Sequence, residues 1–110
     1  MAYEAKHRYA RISARKVRPL ADMIRGKRAD EALNILRFQP QRGARMLEKV
    51  LKSAVDNAED RRAGDVANLI VVDVQVDGGP MFKRMRPRAR GMAFTIRKRT
   101  SHIRVRVDNE

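Results

Sequence analysis

Hydrophobic and polar positions follow two rhythms along this chain. Residues 3–12, YEAKHRYARI, alternate imperfectly with a period of two. That predicts a short strand with Tyr3, Ala5, His7 and Tyr9 on one side and Lys6, Arg8 and Ala10 on the other. From residue 14 the period lengthens. Val17, Leu20, Ala21 and Ile24 take the i, i+3, i+4, i+7 spacing of a buried helical stripe, and Arg15, Lys16, Arg18 and Arg25 fall off it. Ser13 is placed to cap this helix and Gly26 to stop it. Pro19 disturbs the pattern, because inside a helix it removes one backbone hydrogen bond and crowds the preceding turn. The expectation is a kink there, or a helix that begins at Pro19. A second short helix starts at Arg28 or Asp30, turns Ala32, Leu33, Ile35 and Leu36 inward, and is ended by Pro40. A third, over about 41–60, repeats Leu47, Val50, Leu51, Ala54, Val55 and Ala58 at the helical period, the cleanest amphipathic pattern in the chain. Asn57, Glu59 and Asp60 lie near its exposed end, and a loop over 61–65 with Gly64 follows.

The two-residue rhythm returns at 68–76, NLIVVDVQV, which predicts a strand with Ile70, Val72, Val74 and Val76 on one face and Asp73 and Gln75 on the other. Gly78-Gly79-Pro80 is expected to end regular pairing or to introduce a bulge. A last strand, about 100–108, turns Ile103, Val105 and Val107 inward and His102, Arg104 and Arg106 outward. The order β-α-α-α-β-hairpin-β predicts an α+β fold: three helices packed on a small antiparallel sheet, with a long protruding β-hairpin at about 78–99. A length of 110 residues fits a single domain over 1–110. Apolar residues make up 43% of the chain but aromatics only 5%, with no Trp, so the core must be aliphatic.

Charge changes the picture. The net charge of +13 divides as +7 over residues 1–28, −2 over 29–77 and +8 over 78–110. Two basic ends around a nearly neutral middle imply that the ends converge on one nucleic-acid face. The thirty residues 78–107 hold ten Lys/Arg and no acid, a single-sign density that repels itself unless a polyanion neutralises it. Within it, residues 80–97 connect two strands expected to pair, with a tip near 86–91. Nine residues per arm reach roughly 30 Å. Met81, Phe82, Met85, Ala89, Met92, Ala93, Phe94 and Ile96 are too scattered to make a separate core, and an isolated hairpin is marginal in water. The hairpin is therefore expected to project and to be held by an external polyanion. The alternative is a disordered basic tail, but this segment is tethered at both ends. Deleting 83–90 should leave the globular part folded. Arg prevails over Lys here, since a guanidinium grips phosphate with two bonds and stacks on bases. The candidate RNA-binding cations are Lys83, Arg84, Arg86, Arg88, Arg90, Arg97, Lys98 and Arg99. Lys6, Arg8, Arg11, Arg15, Lys16 and Arg18 form a second basic cluster.

Positioned catalytic chemistry is missing. Without Cys there is no thiol nucleophile, disulfide or Cys-ligated zinc, and no HExxH, GxGxxG or GxxxxGK[ST] pattern occurs. His7 and His102 sit in separate basic strands, where packing or phosphate contact suits them better than catalysis. Asp56, Glu59, Asp60 and Asp65 read as a solvated helix end. No metal or cofactor is expected. No run of about 18 apolar residues suggests a membrane span, and the first residues lack the apolar middle of a secretion signal. Two competing readings are an architectural DNA-binding protein, typically dimeric, that lays a basic hairpin in the minor groove, and a small RNA-cleaving enzyme using His7 or His102.

Three motifs carry a resemblance: AKHRYARISARKVRPLADMIRGK at 5–27, LKSAVDNAE at 51–59, and DGGPMFKRMRPRARG with KRTSHIRVRV at 77–107. Together they resemble the bacterial large-subunit ribosomal protein 22 family over nearly the whole chain. The resemblance implies a non-enzymatic cytoplasmic protein bound to the ribosome as a single copy, near the exit of the nascent-peptide tunnel. It implies a hairpin that penetrates 23S rRNA and lines the tunnel opposite large-subunit ribosomal protein 4, with a role in assembly. Its partners would be 23S rRNA, neighbouring large-subunit proteins and the nascent peptide. Carried onto this chain, the tunnel-side tip is Met81, Phe82, Lys83, Arg84, Met85, Arg86, Pro87, Arg88, Ala89, Arg90 and Gly91. Thr100, Ser101 and His102 match the family's strand motif. Met92 stands where family members commonly carry Arg, and Phe82 where a smaller residue is frequent.

Overall fold

The computed structural model describes residues 2–61, 68–87, 89–91 and 93–109. The chain runs β1 (Tyr3–Ala10), α1 (Ala14–Ile24), α2 (Ala29–Arg37), α3 (Arg42–Asp60), β2 (Leu69–Pro87), a 3-10 turn (Ala89–Gly91) and β3 (Ala93–Asn109). The sheet order is β1-β3-β2, antiparallel throughout, so β3 is central. The three helices cover one face, as the α+β reading expects. The proposed loop at 61–65 lies outside the described residues beyond Arg61.

The helical stripes bury the residues that their period selects. Val17, Leu20, Ala21 and Ile24 of α1 are buried; so are Ala32 and Leu36 of α2, and Leu47, Val50, Leu51, Ala54 and Ala58 of α3. Leu33, Ile35 and Val55 pack partly against them. Helix α1 starts at Ala14 with Ser13 at its N-cap, and Ser13 makes no side-chain capping bond. Pro19 lies inside the helix and does not begin it. The carbonyl four residues earlier belongs to exposed Arg15, where water can take the place of the missing donor. Gly26 follows with φ +83°, the left-handed stop its position calls for. Its N–H donates to the Val71 carbonyl at 2.8 Å, and Val71 N–H donates to the Lys27 carbonyl at 2.9 Å. The α1–α2 link thus covers part of the β2 edge.

Two bulges shift the strands from their expected phase. In β1 the register slips between His7 and Ala10. Tyr3 and Ala5 are buried and His7 is half-buried, but Tyr9 turns outward at 60% exposure and Ala10 turns in. In β2 the register slips between Val71 and Asp73. Leu69 and Val71 face the core in place of Ile70 and Val72, and Val72 is 48% exposed. An extra residue on one strand reverses the alternation on either side of it. Beyond this bulge Val74 and Val76 point inward as expected, opposite Val105 and Ile103. A third slip lies between Gly78 and Met81, so Gly-Gly-Pro makes a bulge and the strand continues.

The outer part of the hairpin leaves the body. The molecule extends 65 × 24 × 17 Å, and its radius of gyration is 16.9 Å, against about 13 Å for a compact chain of this length.

Candidate nucleic-acid interface

The finger is a ladder of seven cross-strand pairs, from Met81 opposite Arg99 to Pro87 opposite Ala93. Paired residues in an antiparallel ladder share a face. One face carries Met81, Lys83, Met85, Arg97 and Arg99; the other carries Phe82, Arg84, Arg86 and Lys98. Both faces are therefore basic, and residues 81–87 are all exposed. Lys83 stands directly opposite Arg97, a like-charge pair that weakens the ladder. The contacts that hold the finger are modest. The Arg84 guanidinium lies 5.9 Å from the Phe82 ring centre, and the Thr95 hydroxyl donates to Met85 Sδ at 4.0 Å. At the tip Arg90 (φ +64°) and Gly91 (φ +69°) both take the left-handed conformation, a strained one for Arg. Among the described residues no carboxylate pairs with a finger cation. Arg88 and Met92 lie outside the described residues.

The root of the finger is fastened by Gly79, Pro80 and Thr100. The Thr100 hydroxyl, buried, donates to the Pro80 carbonyl at 2.6 Å. A Cβ on Gly79 would lie 2.6 Å from that same hydroxyl oxygen and 3.2 Å from His102 Nε2, so only glycine lets the bulge close on the central strand. Ser101 is fully buried beside it. His102 Nδ1 accepts the Tyr9 N–H at 3.1 Å, and the two rings meet edge to face at 4.9 Å. That bond occupies a backbone donor at the β1 bulge, where the ladder register slips.

The N-terminal basic residues divide between two surfaces. Arg15 and Arg18 line a cleft with Arg99, Gly78, Gly79 and Met81, where α1 meets the finger root. There the two basic ends of the chain converge. Arg18 also directs Nε and Nη2 to the Val76 carbonyl, both at 3.2 Å. Lys6 and Arg8 lie instead on the open face of the sheet, with Tyr9, His102 and Arg104. Arg11 sits in the turn between β1 and α1, its carbonyl accepting from Arg42. Lys16 is exposed on α1 and lines neither surface. Sequence reasoning missed Arg25, which donates to the Val74 carbonyl at 2.7 Å. It also left Arg104 and Arg106 out of the interface, though their outward phase in β3 marks them.

An α+β body with a two-faced cationic finger defines a basic protein whose charge is concentrated on an extended element. The chain belongs to the ribosomal protein L22p/L17e family, whose model matches residues 5–108. It is 63% identical to the large ribosomal subunit protein uL22 of Rhodopirellula baltica, over 94% of this chain and 91% of that protein. It is 59% identical to uL22 of Caldicellulosiruptor saccharolyticus, over 89% and 80%, and 57% identical to that of Maridesulfovibrio salexigens, over 96% of each. It is thus a structural component of the large ribosomal subunit, ribosome-bound in the cytoplasm, and not an enzyme. No described helix is long and apolar enough to cross a membrane.

Proposed function

We infer that the chain binds 23S rRNA, that its finger lines the nascent-peptide exit tunnel, and that this binding supports subunit assembly. One observation carries the reading: the finger places unpaired cations on both faces of a ladder that has no core of its own. Such an element is stabilised by a polyanion that surrounds it, as a channel through folded RNA does. Lys83, Arg84, Arg86, Arg88, Arg90, Arg97, Lys98 and Arg99 meet phosphates along its length. Arg15 and Arg18 extend the contact around the root, and Lys6, Arg8, Arg11 and Lys16 serve the body's own RNA contacts. Met81, Met85 and Pro87 on one face of the ladder and Phe82 on the other give the tip, through Gly91, its apolar contacts with the peptide. Neighbouring large-subunit proteins complete its surroundings.

Affinity for RNA is electrostatic first, since each phosphate neutralised releases counterions. Shape and splayed bases supply specificity. The test is binding to 23S rRNA fragments across a salt series, beside duplex DNA of equal length. A steep salt slope on rRNA, with weaker binding to DNA, supports the reading; equal affinity for the two defeats it. For the tunnel, a photo-reactive group at position 85 should crosslink to a stalled nascent peptide.

A further inference from the structure

We propose that the open face of the sheet carries a subsite for one unstacked guanine nucleotide, in the hollow between Tyr9, His102 and Asp77. The proposal rests on the reading that the chain binds rRNA, and it assigns a base to a surface away from the finger. The strand register lays two rows across this face. One row is Tyr9, His102 and Asp77: Asp77 pairs with His102, and His102 accepts the Tyr9 N–H. The row beneath is Lys6, Arg104 and Gln75. Between them lies a hollow of about 320 Å³, with Arg8 at its rim.

Each feature suits a nucleotide. Tyr9 is an aromatic residue held outward, at 60% exposure, by a backbone φ of +58° that a bulky side chain rarely adopts. The edge of His102 fixes its ring. A ring so placed is a stacking platform for a base. Lys6 and Arg104 have only long ion pairs, 3.7 Å to Glu4 and 3.8 Å to Asp73. Arg8 has none among the described residues. These three cations suit the nucleotide's phosphate.

Asp77 selects the base. It is an exposed carboxylate on a surface that meets a polyanion, and among the described residues no cation or donor engages it. A site for phosphate alone would be weakened by it. Two carboxylate oxygens match two adjacent donors, and the Watson–Crick edge of guanine presents N1–H beside the 2-amino group. Adenine and cytosine place one amino donor beside an acceptor, and uracil places one N–H between two carbonyls. Guanine alone offers the pair.

The experiment is an NMR titration of the full chain with each of the four ribonucleoside 5′-monophosphates, alongside a salt series on a 23S rRNA fragment. GMP should bind about five-fold or more tightly than the other three, with shifts confined to the surroundings of Tyr9, Gln75, Asp77 and His102. Asp77→Ala should erase the preference for GMP, and Tyr9→Leu should weaken all four nucleotides. Both side chains are exposed, so each variant should keep the wild-type spectrum elsewhere. Equal binding of the four, shifts centred on the finger, or no saturable shift with any of them overturns the subsite. If rRNA is bound with a steep salt slope in that case, the broader reading survives alone. GMP selectivity without rRNA binding would leave the subsite standing and remove the broader reading.

Discussion

The body and the finger share two strands and differ in what supports them. In the body, one face of β2 and β3 is covered by helices, and Val71, Val74, Ile103, Val105 and Val107 are buried there. Several of its charges are engaged internally: Arg37 and Arg45 both reach Glu48, at 3.5 and 3.2 Å, and Arg18 and Arg25 hold β2 carbonyls. In the finger the same ladder continues with both faces exposed, Met85 at 69% and Phe82 at 50%, and with Lys83 against Arg97. Hydrogen bonds alone contribute little net stability, because water competes for them. A ladder becomes independently stable when a face is buried. The body supplies that face itself, and the finger has none of its own.

The strongest test of the contrast is to replace residues 83–97 by Asn-Gly, which suits a two-residue turn between Phe82 and Lys98. Six cations leave, so the slope of log affinity against log salt for rRNA should fall by about 4–5. The melting temperature of the free protein should hardly move; global unfolding would show that the finger belongs to the core. The converse variant is Leu51→Ala in fully buried α3. It should cost about 2–5 kcal/mol in urea unfolding, whereas Met85→Ala should cost under about 0.5 kcal/mol. At the junction, Gly79→Ala should destabilise by about 1–3 kcal/mol, with much of the loss recovered when Thr100→Ala removes the clashing hydroxyl; no recovery would place the strain elsewhere. A small effect of opposite sign is expected from Lys83→Glu, which turns the repulsion with Arg97 into attraction. It should slow amide exchange in the free finger, by an amount worth about 0.2–1 kcal/mol, while weakening rRNA binding.

The helices were legible because a period of 3.6 leaves little freedom of phase: the buried stripes of α1 and α3 are the ones the spacing selects. The strands were less so. Residues 69–72, Leu-Ile-Val-Val, are apolar throughout, so their alternation holds no phase information, and a bulge could put Val71 inward and Val72 outward without disturbing the pattern. Tyr9 is a related case: the alternation puts it on the side of Tyr3 and Ala5, and the bulge after His7 turns it to the other face. The finger was plain from charge and from the Gly-Gly-Pro boundary. The division of the N-terminal basic cluster was hidden, because it depends on β1 lying beside β3 and on α1 lying beside β2, pairings that no local pattern encodes. Arg18 read as an RNA-contacting cation and Arg25 as an off-stripe position, whereas each holds a carbonyl of the edge strand.

Strand β3 runs unbroken from Ala93 to Asn109, bonded to β2 along the finger and flanked by both β1 and β2 in the body. A force applied lengthwise at the tip therefore passes down one continuous rod into the middle of the sheet. There it loads the β1–β3 row of hydrogen bonds in shear, a geometry that must break many bonds at once, where peeling would break them singly. The finger is in this sense a lever continuous with the central strand of the sheet, and a pull on its end is felt at the core.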